Sequence, residues 1–194
     1  MLFRSGKWHL GHAKDLSPTA QGFDEFFGHK NGCIDNYSHF FYWAGPNVHD
    51  LWRQEKEVFE DGAFFPDLVV REARRFLKAN KDRPFFMYLG FPCPHDPRYA
   101  AREFRELYDP EKIPLPPNYQ PVHPYDMGIM TIRHECLQAW PRTRKAIRRH
   151  LHDYYALISI MDHDIGRLLD ALDRLSLTQE TIVIFSSDQG IALG

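Results

Sequence analysis

Two rhythms of apolar residues alternate along this chain. From 64 to 80, Leu68, Val69, Ala73, Phe76 and Leu77 recur at helical spacing behind Pro66, a residue suited to a first helical turn, until Asn80-Lys81-Asp82 breaks the pattern. Pro84 then opens Phe85-Phe86-Met87-Tyr88-Leu89-Gly90-Phe91, an almost unbroken apolar run of the kind a parallel strand covered on both faces requires. The run stops at Pro92-Cys93-Pro94-His95, where two prolines turn the chain off the sheet and leave His95 just past the strand's C-terminal end. Residues 97 to 126 are rich in proline and charge and read as a surface excursion with at most a short helix around Ala101 to Leu107. A long helix is predicted from near Arg142, periodic through Tyr155, Leu157, Ile158, Met161, Ile165, Leu168, Leu169 and Leu172. After a turn at Leu175-Ser176-Leu177, Thr181-Ile182-Val183-Ile184-Phe185 is a β-branched run predicted to be a buried strand. Helix, strand, helix, strand predicts an α/β fold, a mostly parallel sheet sandwiched by helices, with ligands collecting beyond the C-terminal ends of the strands. His95 and Asp188-Gln189 both fall at such ends.

Composition narrows the field. With 194 residues, 43% of them apolar, the chain can form one core or one large piece of a bigger α/β domain. The formal charge of -2 supplies no global field toward nucleic acid or an anionic membrane, so anion binding must be local. The basic stretch Arg142-Thr143-Arg144-Lys145 with Arg148-Arg149 has no interleaved aromatics and reads as a solvated helix face rather than a nucleic-acid site. The 3 cysteines, Cys33, Cys93 and Cys136, form no C-x-x-C pair and support neither a disulfide framework nor a thiolate zinc site. No run approaches the roughly 18 apolar residues of a membrane span, and Met1-Leu2-Phe3-Arg4 lacks the apolar stretch of a signal peptide.

Several residues could carry chemistry. On an extended segment Lys7 and His9 point to one side and Trp8 to the other, offering an ammonium and an imidazole to one small anion, with Gly6 and Gly11 permitting close backbone approach. The alternative is an exposed edge segment with Trp8 buried. Asp188 and Gln189 bring oxygen ligands of the type that calcium or magnesium takes, unless they merely form a polar turn. His95 is stiffly presented between prolines. Ser38 and His39, in a donor-rich loop beside Phe40, Phe41, Tyr42 and Trp43, could line a substrate pocket or belong to a packed surface loop. Asp162-His163-Asp164 reads as a solvated patch on the long helix, His150-Leu151-His152 similarly, and His134-Glu135-Cys136 lacks a partner at zinc spacing.

Five blocks in order carry a resemblance. Gly6-Lys7-Trp8-His9-Leu10-Gly11, Gly22-Phe23-Asp24-Glu25-Phe26-Phe27-Gly28, Pro84-Phe85-Phe86 leading to Pro94-His95, Asp164-Ile165-Gly166-Arg167, and Asp188-Gln189-Gly190 together resemble the type I sulfatases of the alkaline-phosphatase-like superfamily. The resemblance implies an alkaline-phosphatase-like fold and metal-assisted hydrolysis of a small-molecule or carbohydrate sulfate ester. Lys7 is then similar to the lysine that contacts sulfate, His9 to the histidine that assists a formylglycine nucleophile, and His95 to the histidine that protonates the departing alcohol. Asp188 and Gln189 resemble calcium ligands, with magnesium as the alternative ion; Gln189 stands where the family more often has asparagine. A phosphodiesterase or phosphonate hydrolase of the same superfamily would use the same residue types, and a non-catalytic relic or a sulfated-ligand-binding protein would retain them. None of the cysteines sits in the Cys-x-Pro/Ala-Ser-x-Arg motif that becomes formylglycine. The chain is therefore expected to be one part of a single sulfatase catalytic domain, incomplete at both ends, with formylglycine expected in the missing N-terminal part. The resemblance also implies a periplasmic or extracellular setting. Oligomeric state is open. The purified 194 residues are accordingly expected to release no nitrophenol from an aryl sulfate above the buffer rate; release in proportion to protein concentration would overturn that expectation.

Overall fold

A computed structural model describes residues 1–43, 47–132, 135–187 and 190. Packing divides them into two units, one of residues 1–97 and 161–182, the other of 98–160 with the chain from 183 onward.

The first unit is built on a five-stranded sheet. Its strands are β1 (Leu2–Lys7), β2 (Glu25–His29), β3 (Trp52–Arg53), β4 (Lys56–Glu57) and, after helix α1 (Phe65–Asn80), β5 (Phe86–Gly90). The order is β4-β3-β2-β1-β5, with β1 parallel to both β2 and β5 and a short antiparallel hairpin, β3 with β4, beyond β2. The expected α/β class is found, with a mixed sheet whose three principal strands are parallel. The N-terminal segment is a central strand and not an exposed edge. Its polar residues hide this: Ser5 is fully buried, and Arg4 is buried by stacking 4.8 Å from the Trp8 ring centroid and 4.0 Å from that of Tyr88.

Helix α1 forms where periodicity predicts it, with Pro66 in its first turn, and it buries Val69, Val70, Ala73, Phe76 and Leu77. Phe76 stacks on Phe3 of β1 at 4.5 Å between ring centroids, an anchor between helix and sheet. The last part of the 31-residue helix α3 (Arg144–Arg174), which follows the single turn α2 (Arg102–Arg105), adds Leu168, Ala171 and Leu172 to the same core. Arg167 ties the two helices by binding both Asp67 and Asp164, the latter at 2.9 Å. Asp164 is thus buried and paired, and the solvated patch read around His163 does not include it.

Two strand expectations change. In β5, Met87 and Leu89 face the helices, whereas Phe86 and Tyr88 stay about half exposed, because β5 is the outer strand of this sheet and these helices cover one face. The run Thr181 to Phe185 is not a strand; Ile182, Ile184 and Phe185 are exposed. β-branched residues favour a strand only when a neighbouring strand receives their backbone groups, and among the described residues none pairs with this run.

The second unit packs Ile113, Ile147 and Leu151 with Tyr108, Leu115, Tyr119 and Tyr155. The basic stretch is used internally. Arg142 bonds Glu135 at 2.6 Å and lies over Trp140, Arg144 lies over Tyr119, and Arg148 donates to the Ile113 carbonyl, so the aromatic partners come from other parts of the chain. No helix among the described residues is long and apolar enough to cross a membrane.

The hairpin is fastened to α1 by one carboxylate. Glu72, nearly fully buried, accepts two bonds from Arg53 at 2.7 and 2.8 Å, one from Arg71 at 3.1 Å and one from Arg75 at 2.9 Å. Burial alone would raise its pKa, but the bonds and charges of the three guanidinium groups outweigh it and hold the carboxyl at about 2. A folded-state value below the ordinary 4.5 means that the stabilisation is complete above about 4.5 and is lost as pH falls toward 2. Glu72→Gln is therefore expected to cost on the order of 2 kcal/mol of stability at pH 7. The gap to the parent should close in denaturant melts taken at successively lower pH; a pH-independent gap would contradict this account.

Candidate active site

The parallel ladder between β1 and β2 continues past the ends of the strands. Trp8 N–H donates to the His29 carbonyl at 2.9 Å and His9 N–H to the Lys30 carbonyl at 3.1 Å, while His9 adopts φ 55°, a left-handed conformation uncommon for a side chain of its kind. Arg4 Nη2 donates to the Lys7 carbonyl at 2.5 Å from within the sheet, and Trp8 Nε1 donates to the Leu16 carbonyl at 2.9 Å. Lys7 thus closes the strand and His9 follows on a clamped turn, rather than both lying on one continuing extended segment.

The partner loop is held in turn by Asp50, which is fully buried. Its Oδ1 accepts from Lys30 N–H at 3.1 Å and Trp52 Nε1 at 2.7 Å, and its Oδ2 accepts from Asn31 N–H at 2.8 Å and Asn31 Nδ2 at 2.9 Å. His29 lies under the turn, fully buried, with Nδ1 on the Asn31 carbonyl at 2.8 Å. Burial lowers its pKa to about 4, so the ring is neutral, and the charges of Lys7 and His9 push the same way. Sequence reasoning missed both residues. Asp50 has no local signature in its loop; His29, directly after the Gly22 to Gly28 block, was the more accessible of the two.

Glycines shape the approach. Gly28, Gly6 and Gly90 stand in register across β2, β1 and β5. A Cβ on Gly6 would sit 2.1 Å from the Gly90 oxygen and one on Gly28 would sit 2.0 Å from the Gly6 oxygen, contacts no side chain can make. Gly32 has a different task. A Cβ there would come within 2.6 Å of His9 Nε2, so this glycine leaves the space the imidazole occupies.

His95 arrives from the loop after β5, its ring oriented by Nδ1 on the Asp96 carbonyl at 2.7 Å, a carbonyl that also accepts from the Tyr42 hydroxyl at 2.9 Å. It is close enough to act on His9, whose pKa is lowered first by burial, then by Lys7, then by His95. The structure therefore sets His9 within electrostatic reach of Lys7, the last residue of β1, and of His95, in the loop after β5. No ion pair to a carboxylate forms at Lys7 or His9 among the described residues. A histidine whose charged form is disfavoured by two basic neighbours stands where a bound anion would relieve that cost.

A family model described as Sulfatase matches residues 3–194. The chain belongs to the sulfatase family. It is 30% identical to an ulvan-active sulfatase of Formosa agariphila, an alignment covering 97% of this chain and 32% of that protein. It is 28% identical to N-acetylgalactosamine-6-sulfatase of Canis lupus familiaris, covering 97% and 30%. The solved structure of Ps i-CgsB in complex with k-i-k-neocarrahexaose superposes with a TM-score of 0.60 at 23% identity, over 90% of this chain and 34% of that one, which shows the fold. The chain spans about a third of the length of the curated relatives it matches.

The other residues expected of a sulfatase site fare differently. Asp188 and Gln189 lie outside the described residues. Calcium takes about six or more oxygen ligands, and the described residues do not provide such a cage. Asp50 is saturated by N–H donors, and the one group of three clustered ligand side chains among the described residues contains two imidazoles. Ser38 is engaged by Asp35, whose Oδ1 accepts its hydroxyl at 2.9 Å and its N–H at 2.8 Å, and His39 is fully buried. Neither points to a substrate-facing role. Cys93 is buried and its thiol pushed up to about 12 by burial and then by Asp164, the opposite of an activated nucleophile.

Lys7→Ala is expected to raise the His9 titration midpoint, since it removes a positive charge that lowers it. Imidazole proton shifts followed by NMR against pH would show this; an unchanged or lower midpoint would separate the two residues.

Proposed function

We propose that this segment supplies the lysine and two histidines of a sulfate-ester hydrolase, acting within a longer protein on a sulfated carbohydrate. The observation that carries the proposal is that His9, on a turn clamped to β2, lies within electrostatic reach of both Lys7 and His95 in a sulfatase-family chain. Each group has a task set by its surroundings. The Lys7 ammonium meets a sulfate oxygen and offsets the charge that builds there as sulfur is attacked. His9, held largely neutral by burial and its basic neighbours, is able to take a proton, and it gains basicity when an anion binds between them. His95, oriented through Asp96, gives a proton to the departing alcohol.

The nucleophile is proposed to be a formylglycine, and the metal calcium, both furnished by the whole protein and neither by the residues described here. The carbohydrate assignment is supported by the relatives: an ulvan-active sulfatase, an N-acetylgalactosamine-6-sulfatase, and a solved structure holding a neocarrahexaose.

The test uses a sulfated galactose oligosaccharide and its desulfated counterpart. The sulfated sugar is expected to shift the ring signals of His9 and His95 in NMR titrations, with binding that weakens as salt rises. Lys7→Ala should weaken it about tenfold, the scale of one hydrogen bond to a charged group. An equal response to the desulfated sugar would sink the proposal.

A further inference from the structure

A second set of chemically able side chains lies apart from the sulfate site and is unused by it. His39 sits at φ 60° with its ring fully buried, and its Nε2 meets the Ala63 carbonyl at 3.1 Å. A carbonyl only accepts, so Nε2 carries the proton and Nδ1 keeps its lone pair. His49 has the mirror arrangement. Its Nδ1 meets a Glu57 carboxylate oxygen at 2.9 Å, which leaves the lone pair on Nε2, in a side chain 5% exposed and stacked 4.4 Å from Phe59. Both lone-pair nitrogens are buried and without a hydrogen-bond partner among the described residues. The rings stand 6.2 Å apart, and His39 Nδ1 or Nε2, its counterpart on His49, and a carboxylate oxygen of Asp61 all lie within 4.8 Å of one another.

Two buried imidazole acceptors with no donor among the described residues, on side chains clustered with a carboxylate, are unfavourable unless a cation joins them. The outer contacts agree with this. Imidazoles that bind metals are commonly held by a carbonyl or carboxylate on the far nitrogen, the role Ala63 and Glu57 have here. We propose that His39, His49 and Asp61 bind a divalent ion of the zinc class. Two imidazole nitrogens and one carboxylate favour zinc or cobalt over calcium or magnesium, and the exposed Asp61 leaves a fourth position for water. Tetrahedral bonds of about 2 Å place ligand atoms a little over 3 Å apart, so an ion would draw together three groups that lie within 4.8 Å of one another without it. The ion links the turn at His39, the bridge at His49 and the segment before α1, which are otherwise joined by backbone bonds such as Gly62 N–H to the Tyr37 carbonyl at 2.8 Å. Its role is structural, and it does not depend on the sulfate-ester reading.

The chelator-treated 194-residue chain is titrated with Zn²⁺ by calorimetry and with Co²⁺ by visible absorption, and its melting is followed with and without metal. One ion per chain is expected, with a tetrahedral cobalt spectrum. Saturating Zn²⁺ should raise Tm by about 5 °C or more, and Ca²⁺ should not. Asp61→Asn, at an exposed position, should weaken binding at least about tenfold, Glu57→Gln by about 10- to 100-fold, and His49→Gln should abolish it. Absence of Zn²⁺ and Co²⁺ binding by the folded parent chain, or binding unchanged in Asp61→Asn and Glu57→Gln, would overturn the assignment.

Discussion

The buried carboxylate of Asp50 is the constraint on which the geometry of the candidate site rests. A charge removed from water needs donors on its oxygens, and Asp50 obtains four, two from Asn31 and one each from Lys30 and Trp52. Those bonds hold the chain after β2 in one conformation. That chain offers the carbonyls of His29 and Lys30 to Trp8 and His9, which places the Lys7 and His9 side chains. A carboxylate that touches neither of those side chains thus sets where both of them are. Its loss would leave four donors without partners in the interior.

The distribution of charge follows the same logic. The chain as a whole carries a formal charge of -2, yet its basic groups divide sharply into paired and unpaired ones. Lys30 is buried against Trp52 and bonded to Glu55 at 2.9 Å, so its charge is spent within the fold. Arg53, Arg71 and Arg75 are spent on Glu72. Lys7, directly opposite His29 in the ladder, forms no such ion pair among the described residues. Local basicity here comes from withholding a partner, not from adding charge.

How much was legible in the sequence depended on where the information resides. Helices α1 and α3 were readable because their periodicity is itself the packing: Val69, Val70, Ala73 and Phe76 repeat as they touch the sheet. The extended conformation at Lys7 was legible, but the central place of β1 was not, because a strand carrying Arg4, Ser5 and Lys7 looks polar, and the burial of Arg4 comes from rings at Trp8 and Tyr88 far apart in sequence. Strands β3 and β4, two residues each, are too short to show a period. The run from Thr181 erred in the opposite sense, with strong strand propensity and no ladder to join. At the site, Lys7, His9 and His95 were visible as motif residues, whereas Asp50 and His29 acquire their meaning only from tertiary contacts.

The row of Gly28, Gly6 and Gly90 carries a consequence for how such a site can change. Because a side chain at these positions would collide with the neighbouring strand's carbonyl, the surface beneath the reactive groups consists of bare peptide. Bare peptide holds no shape information that substitution could rewrite. Any preference among ligands must therefore be set by the loops above that surface, which can vary while the peptide floor beneath them stays fixed.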